Sequence, residues 1–225
     1  MYDKSILSQR VAENIKQMIL DKDYHPGDKL PNEIEMTQMV NVSRSTIREA
    51  IKILVSTNIL EVRRGKGTYV SEKPGLTKDP LGMDFINEDR LLMDLFEIRL
   101  LLEPEMTKLA VERGVQSDFD KIFETYERVA EQIKSGKNHT EADIAFHTAI
   151  ADASHNIIMN RIVPLINEGI VGGYLKTKDN PESAEEVLRQ HESIVEFIKK
   201  REPQKAKKAM QDHILYGLQG FKRYN

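Results

Sequence analysis

Apolar residues recur at helical spacing at Val11, Ile15, Met18 and Ile19, and the run Tyr24-His25-Pro26-Gly27-Asp28 then breaks the period. A first helix followed by a turn is predicted. Asn32 stands three residues before Glu35, the spacing of a capping box, so a short second helix is expected from about Glu33 to Met39. Ser43 is placed to cap a third helix. There Ile47, Ile51 and Leu54 form an apolar face, while Arg44, Arg48 and Lys52 recur every four residues along another side. Asn58 reads as a helix stop, after which Ile59 to Arg63 and Thr68 to Val70 read as two short strands. Arg64, Gly65, Lys66 and Gly67 would join them, giving a hairpin with a basic tip.

The stretch from Glu72 to Pro80 holds two prolines, a glycine and no periodicity, which marks a boundary. We therefore expect one domain over residues 1–73, a linker over 74–80 and a second domain over 81–225. Beyond the linker only helical periodicity recurs. It is interrupted at Gly114 to Ser117, Ser135 to Asn138, Ser154 to Asn156, Asp179 to Pro181 and Arg201 to Pro203. Six long helices follow, and a shorter one around Leu81 to Ile86 makes seven, with Pro164 placed to kink one member. The fold class is thus mainly α: three helices and a small hairpin, then an all-α bundle.

Composition refines this picture. A chain of 225 residues with 40% hydrophobic content can bury a core in each of two modest domains. It has no cysteine, so disulfides and thiolate metal sites are excluded and any metal must rest on His, Asp or Glu. No apolar stretch nears the ~20 residues that span a bilayer, and no leader pattern precedes the first helix, so a cytoplasmic protein without a membrane partner is expected. The net charge of -3 hides an asymmetry: residues 1–74 carry 12 Lys/Arg against 10 Asp/Glu, and the remainder 21 against 26. Between Ser43 and Val70 there are six basic residues and two acidic ones. Positive charge is gathered where a phosphate backbone could meet it.

A helix that enters the major groove needs long donors and hydroxyls at its first turns, where side chains reach base edges and phosphates. Ser43, Arg44, Ser45, Thr46 and Arg48 supply them. Taken in order, Pro26 to Glu33, Val42 to Ala50 and Gly65 to Val70 closely resemble the signature of the GntR family of regulators. The resemblance implies a winged helix-turn-helix that binds a pseudo-palindromic operator as a homodimer. Arg44 and Arg48 would lie on bases and phosphates, with Arg64, Gly65, Lys66 and Gly67 as the wing in the adjacent minor groove. In one respect the chain departs from that family: Ile34 stands where members often carry Arg after the Leu-Pro-x-Glu segment, so operator sequences do not transfer from relatives.

In the second domain Asp143 and His147 stand four apart on one predicted helix and project from the same face, a chelating geometry. His191 and His213 lie on later helices. Three imidazoles and a carboxylate suit a divalent ion such as Zn, Ni, Mn or Fe, although sequence separation alone does not bring them together. Phe96 to Arg99 with Glu103, Asp143 to His147, His191 to Ile194 and Met210 to Ile214 resemble the FCD domain of the FadR subfamily over roughly residues 80–220. That resemblance implies Asp143, His147, His191 and His213 as ligands of one metal in a central cavity. It also implies Arg99 at the wall, Asn156 facing the pocket, and a small organic acid as effector, because the acyl-CoA-binding members lack this metal set. An acid could displace metal-bound water with its own oxygens, and Arg99 could fork onto a carboxylate. In that role, replacing Arg99 would cost effector affinity and leave the metal in place. Arg99 could equally bridge Glu97 or Glu103. His25, His139 and His155 fall at predicted turns and read as surface residues.

The expected function is sequence-specific transcriptional regulation, as a repressor whose operator binding answers to the acid. Two other readings stand beside it: a regulator with a purely structural metal, and a metal-dependent hydrolase, since open Asp/His sites activate water. No general base or nucleophile is picked out for the latter. Glu192 adjoins His191 but falls on another helix face.

Overall fold

The computed structural model describes residues 4–21, 24–77, 79–86, 88–174 and 181–224. The breaks expected at Asp179 and Asn180, and Lys78 of the expected linker, lie outside the described residues. The chain divides into two compact units, Met1–Asp84 and Phe85–Asn225.

The first unit holds α1 (Lys4–Leu20), α2 (Glu33–Val40), α3 (Arg44–Ser56), β1 (Leu60–Arg63) and β2 (Gly67–Val70). Its core is the convergence of the apolar stripes anticipated above, with Val11, Ile15, Met36, Ile47, Leu54 and Val70 all buried. The Asn32 amide oxygen accepts from the N–H groups of Ile34 and Glu35, and the Glu35 carboxylate accepts the Asn32 N–H at 2.7 Å, closing the capping box. Asn41 ends the helix in a left-handed conformation, φ 51°, and Ser43 starts the next by accepting the Thr46 N–H at 3.2 Å. Only a short turn therefore separates α2 from α3, as a helix-turn-helix requires.

β1 and β2 pair antiparallel, Leu60 opposite Val70 and Arg63 opposite Gly67. Gly67 is thus the first residue of β2 rather than part of the tip, which shrinks to Arg64, Gly65 and Lys66. Gly65 turns with φ 73°, where a side chain would be strained. Residues after Pro26, read from sequence as a turn, also run beside β2: Leu30 N–H donates to Thr68 O and Val70 N–H to Asp28 O, both at 2.9 Å. Asn58 ties down the beginning of the linker, its side-chain amide donating to the carbonyls of Lys73 and Leu76.

The second unit is an all-helical bundle of α4 (Glu88–Arg113), α5 (Gln116–Lys134), α6 (Thr140–Ala153), α7 (Met159–Tyr174), α8 (Pro181–Lys199) and α9 (Pro203–Tyr224), preceded by a 3-10 turn at Met83–Phe85. α4 packs on α6, α7 and α9, and α5 on α6 and α8, so side chains from α4, α6, α8 and α9 meet in the interior. α4 passes through Pro104 and α7 through Pro164, both buried; each proline withholds one N–H from the preceding turn. Fully buried Phe146, Met106, Ile122, Ile150, Ile194 and Met210 fill the core. No helix among the described residues is long and apolar enough to cross a membrane.

Candidate functional site

In the first unit, α3 presents Arg44 and Arg48 to solvent on the side opposite Ile47 and Leu54. Its first turn is stiffened by a hydroxyl cluster, with Ser43 Oγ 2.8 Å from both Ser45 Oγ and Thr46 Oγ1. Both arginines share an acidic partner that sequence reasoning missed: Arg48 Nε donates to Glu33 Oε2 at 2.8 Å, and Arg44 Nη2 lies 3.7 Å from the same oxygen. Glu33 opens α2 and is fifteen positions from Arg48, so no local spacing announces the contact. Arg64, Gly65, Lys66 and Gly67 are all exposed at the hairpin end. Behind them Arg63 stacks on the Tyr69 ring, 4.1 Å from its centroid. A basic helix beside a basic hairpin is the geometry that reads major and minor grooves together. Ile34 is exposed, as a residue placed outward at the start of α2 must be.

In the second unit, α6 places Asp143 and His147 on one buried face, one turn apart. α8 brings His191 and α9 brings His213 to them. One ligand-type atom from each of the four residues lies within 4.8 Å of the others. Their surroundings orient them. His191 donates its Nδ1–H to the Val187 carbonyl at 2.8 Å, which leaves Nε2 as the atom facing Asp143, 2.9 Å from Oδ1. With the ring proton on Nδ1, these two atoms face each other as acceptors with no hydrogen between them, and the buried Nδ1 of His213 has no hydrogen-bond partner. Buried polar atoms are nearly always satisfied, so three left bare in one cluster is an arrangement that a cation completes. The donor set of three imidazoles and one carboxylate fits a divalent transition ion.

Electrostatics agree with that fit. Burial alone would raise the Asp143 carboxyl, but the imidazoles of His147, His191 and His213 outweigh it and hold the group well below the usual carboxylate range. Burial, then the charges of His191 and His147, push His213 well below its ordinary value, so its ring is neutral and able to ligate.

Arg99 and Glu103, on α4, border the cluster. Arg99 is 2% exposed and its Nε donates to Glu103 Oε1 at 2.5 Å, so of the open alternatives the bridge to Glu103 is the one formed. Its Nη2 also reaches the His147 ring, 3.2 Å from Nε2. Burial works against ionisation of Glu103, yet the Arg99 charge, the adjoining His147 ring and the hydrogen bonds of both pull its carboxyl down to about 2. Asn156 is half-buried before α7, where its side-chain oxygen accepts from the N–H groups of Ile158 and Met159 as a helix cap. His155, read as a surface residue, is half-exposed but bonded to Asp118 at 2.8 Å.

Comparison with known proteins bears on both units. The pattern described as bacterial regulatory proteins, gntR family, matches residues 7–70, and the FCD domain matches residues 94–216. The Glc operon transcriptional activator of Escherichia coli is 30% identical over 214 residues, covering 91% of this chain and 84% of its own length. The regulator LutR of Bacillus subtilis is 27% identical over 203 residues, covering 88% of this chain and 93% of its own. Among solved structures, a Streptococcus agalactiae GntR protein superposes with a TM-score of 0.82 at 36% identity, over 94% of this chain and 99% of that one.

Proposed function

The chain belongs to the GntR family of bacterial regulators with an FCD domain, and from that premise we propose that a small carboxylate, held at a divalent ion by Asp143, His147, His191 and His213, sets its affinity for an operator. As in its relatives, the activity is DNA-binding regulation and not enzymatic turnover. The observation that carries the metal reading is the trio of buried, unpartnered atoms on Asp143, His191 and His213. When bound, the ion, whether Zn, Ni, Mn or Fe, supplies positive charge and open coordination positions for the oxygens of an acid. Asp143 partly neutralises the ion, and the imidazoles hold it without adding charge. Arg99 stands against His147 as a second cation beside the acid. Asn156, its oxygen occupied in capping α7, has only its amide N–H groups to offer an acid.

The test is anisotropy of a selected operator duplex at saturating zinc, titrated with acetate, lactate and citrate, which differ in the number of oxygens they can present. At least one acid is expected to change operator affinity by roughly 5- to 150-fold, the usual range of allosteric coupling. No change with any acid, in a protein that retains zinc, would leave the metal as scaffold only. The sign of the change decides whether the acid releases DNA, as repression relieved by effector requires, or promotes binding.

We further propose a homodimer formed through the second unit. On α4, Ile98 and Leu101 are 41% and 64% exposed; Ile158, in the turn before the adjoining α7, and Ile162 in its first turn are 60% and 37% exposed. Exposed apolar side chains on two elements that pack together suit a self-complementary two-fold contact, and two reading heads would then address two half-sites. Sedimentation at micromolar concentration is expected to give a dimer for the wild type and a monomer for Leu101→Glu/Ile158→Glu. A monomeric wild type that binds its operator one to one would contradict it.

A further inference from the structure

Two of the three imidazoles have their Nδ1 position spoken for, by different means. His191 uses a carbonyl of its own helix, Val187 O. His147 has a partner brought from another helix: its Nδ1 lies 2.5 Å from Glu103 Oε2, in a contact whose two side chains are 0% and 1% exposed. An ionised carboxylate can only accept, so this contact places the ring proton on Nδ1 and leaves Nε2 with its lone pair, 3.2 Å from Arg99 Nη2 and 3.9 Å from Asp143 Oδ2. A carboxylate sealed from water needs a counter-charge, and Arg99, one turn earlier on α4, contributes Nε at 2.5 Å and Nη2 at 3.4 Å.

We infer that Glu103, held by Arg99, is a positioning residue that fixes His147 in the Nδ1–H form and aims its Nε2 into the ligand cluster. Arg99 then serves the ion as well as the acid. This rests on the metal reading above, and it departs from the expectation that Arg99 could be removed with the metal left in place: without Arg99, Glu103 loses the two hydrogen bonds that hold it against His147. The outer partners of ligating histidines, through tautomer and basicity, typically govern metal affinity by 10- to 100-fold.

The variants are Glu103→Gln, which keeps an acceptor but loses the charge, and the double change Arg99→Met/Glu103→Leu, which removes the buried pair together and leaves neither charge stranded. Folding of each is verified by thermal melting and operator binding. Long-range proton–nitrogen NMR of metal-free, nitrogen-15 histidine-labelled protein reads the tautomer, the His147 signals being identified by their loss in His147→Gln. Zinc alone is then titrated by competition with a chromophoric chelator. Expected are an Nδ1–H tautomer in the wild type, its retention in Glu103→Gln with weaker zinc binding, and its loss in the double variant with zinc weakened roughly 10- to 100-fold. A folded double variant that keeps the wild-type tautomer and zinc affinity would overturn the inference. If the wild type itself binds no zinc, the metal reading fails, and the tautomer in the double variant still decides whether Glu103 positions His147.

Discussion

Replacing His191 with Ala is expected to abolish zinc-dependent stabilisation of the protein, and His147→Ala and His213→Ala to do the same. Each removes one of the four proposed ligands, a larger expected loss than the roughly 10- to 100-fold that follows from losing an outer partner. At free zinc one hundred times its dissociation constant, the wild type is expected to gain about 2.7 kcal/mol from binding, and each variant little or none at that concentration. Comparing each variant with and without zinc separates this effect from any cost of the substitution itself, such as the Val187 carbonyl left without its His191 partner. Asp143→Asn keeps the shape of the ligand but removes its charge, so it falls between wild type and the His variants. Operator binding in the absence of acid is expected to persist in all four. A zinc-dependent rise in melting temperature equal to that of the wild type, in the three His variants, would exclude the site.

The second large effect lies in the DNA reader. Arg44→Ala and Arg48→Ala are each expected to weaken specific operator binding by about 1–3 kcal/mol, the value of a lost bidentate base contact. Both side chains are more than half exposed, so the fold survives. Losing Arg48 also leaves the Glu33 carboxylate without its nearest cation on the reading surface, adding repulsion from phosphate to the lost contact. Lys66→Ala at the wing tip behaves differently: it costs less affinity and lowers the slope of log affinity against log salt by roughly 0.9, as one phosphate contact requires. Operator binding at wild-type strength in matched salt by both arginine variants would remove α3 from the groove.

Most of the fold was legible because its signals are local. The capping box at Asn32 and Glu35, the Ser43 cap, and the stripe of Ile47, Ile51 and Leu54 each act within a turn or two of helix, and each appears where its spacing placed it. The pairing of residues after Pro26 with β2 was not legible, since Pro26-Gly27 signals a turn whether or not a strand edge follows it. The same divide runs through the sites. Asp143 and His147 are one turn apart, so their shared face follows from helix geometry, whereas His191 and His213 are reached only through packing and were brought in by family resemblance. Glu33 and Glu103 escaped as functional residues for one reason: each acts on a side chain of another helix, fifteen and forty-four positions away, and a lone glutamate carries no periodic mark of such a contact. For Arg99 the spacing to Glu103 allowed the bridge that the structure forms, but not the further link through Glu103 to His147.

The claim that the acid is read by an ion on Asp143, His147, His191 and His213 meets its most direct test in X-ray absorption at the metal edge of zinc-loaded protein, recorded with and without the acid that shifts operator affinity. Scattering from three imidazoles with oxygen donors completing the shell is expected, with a change confined to the oxygen shell when the acid is added. A loaded protein whose zinc shows no imidazole shell, or whose spectrum is unchanged by an acid that alters operator binding, would contradict it.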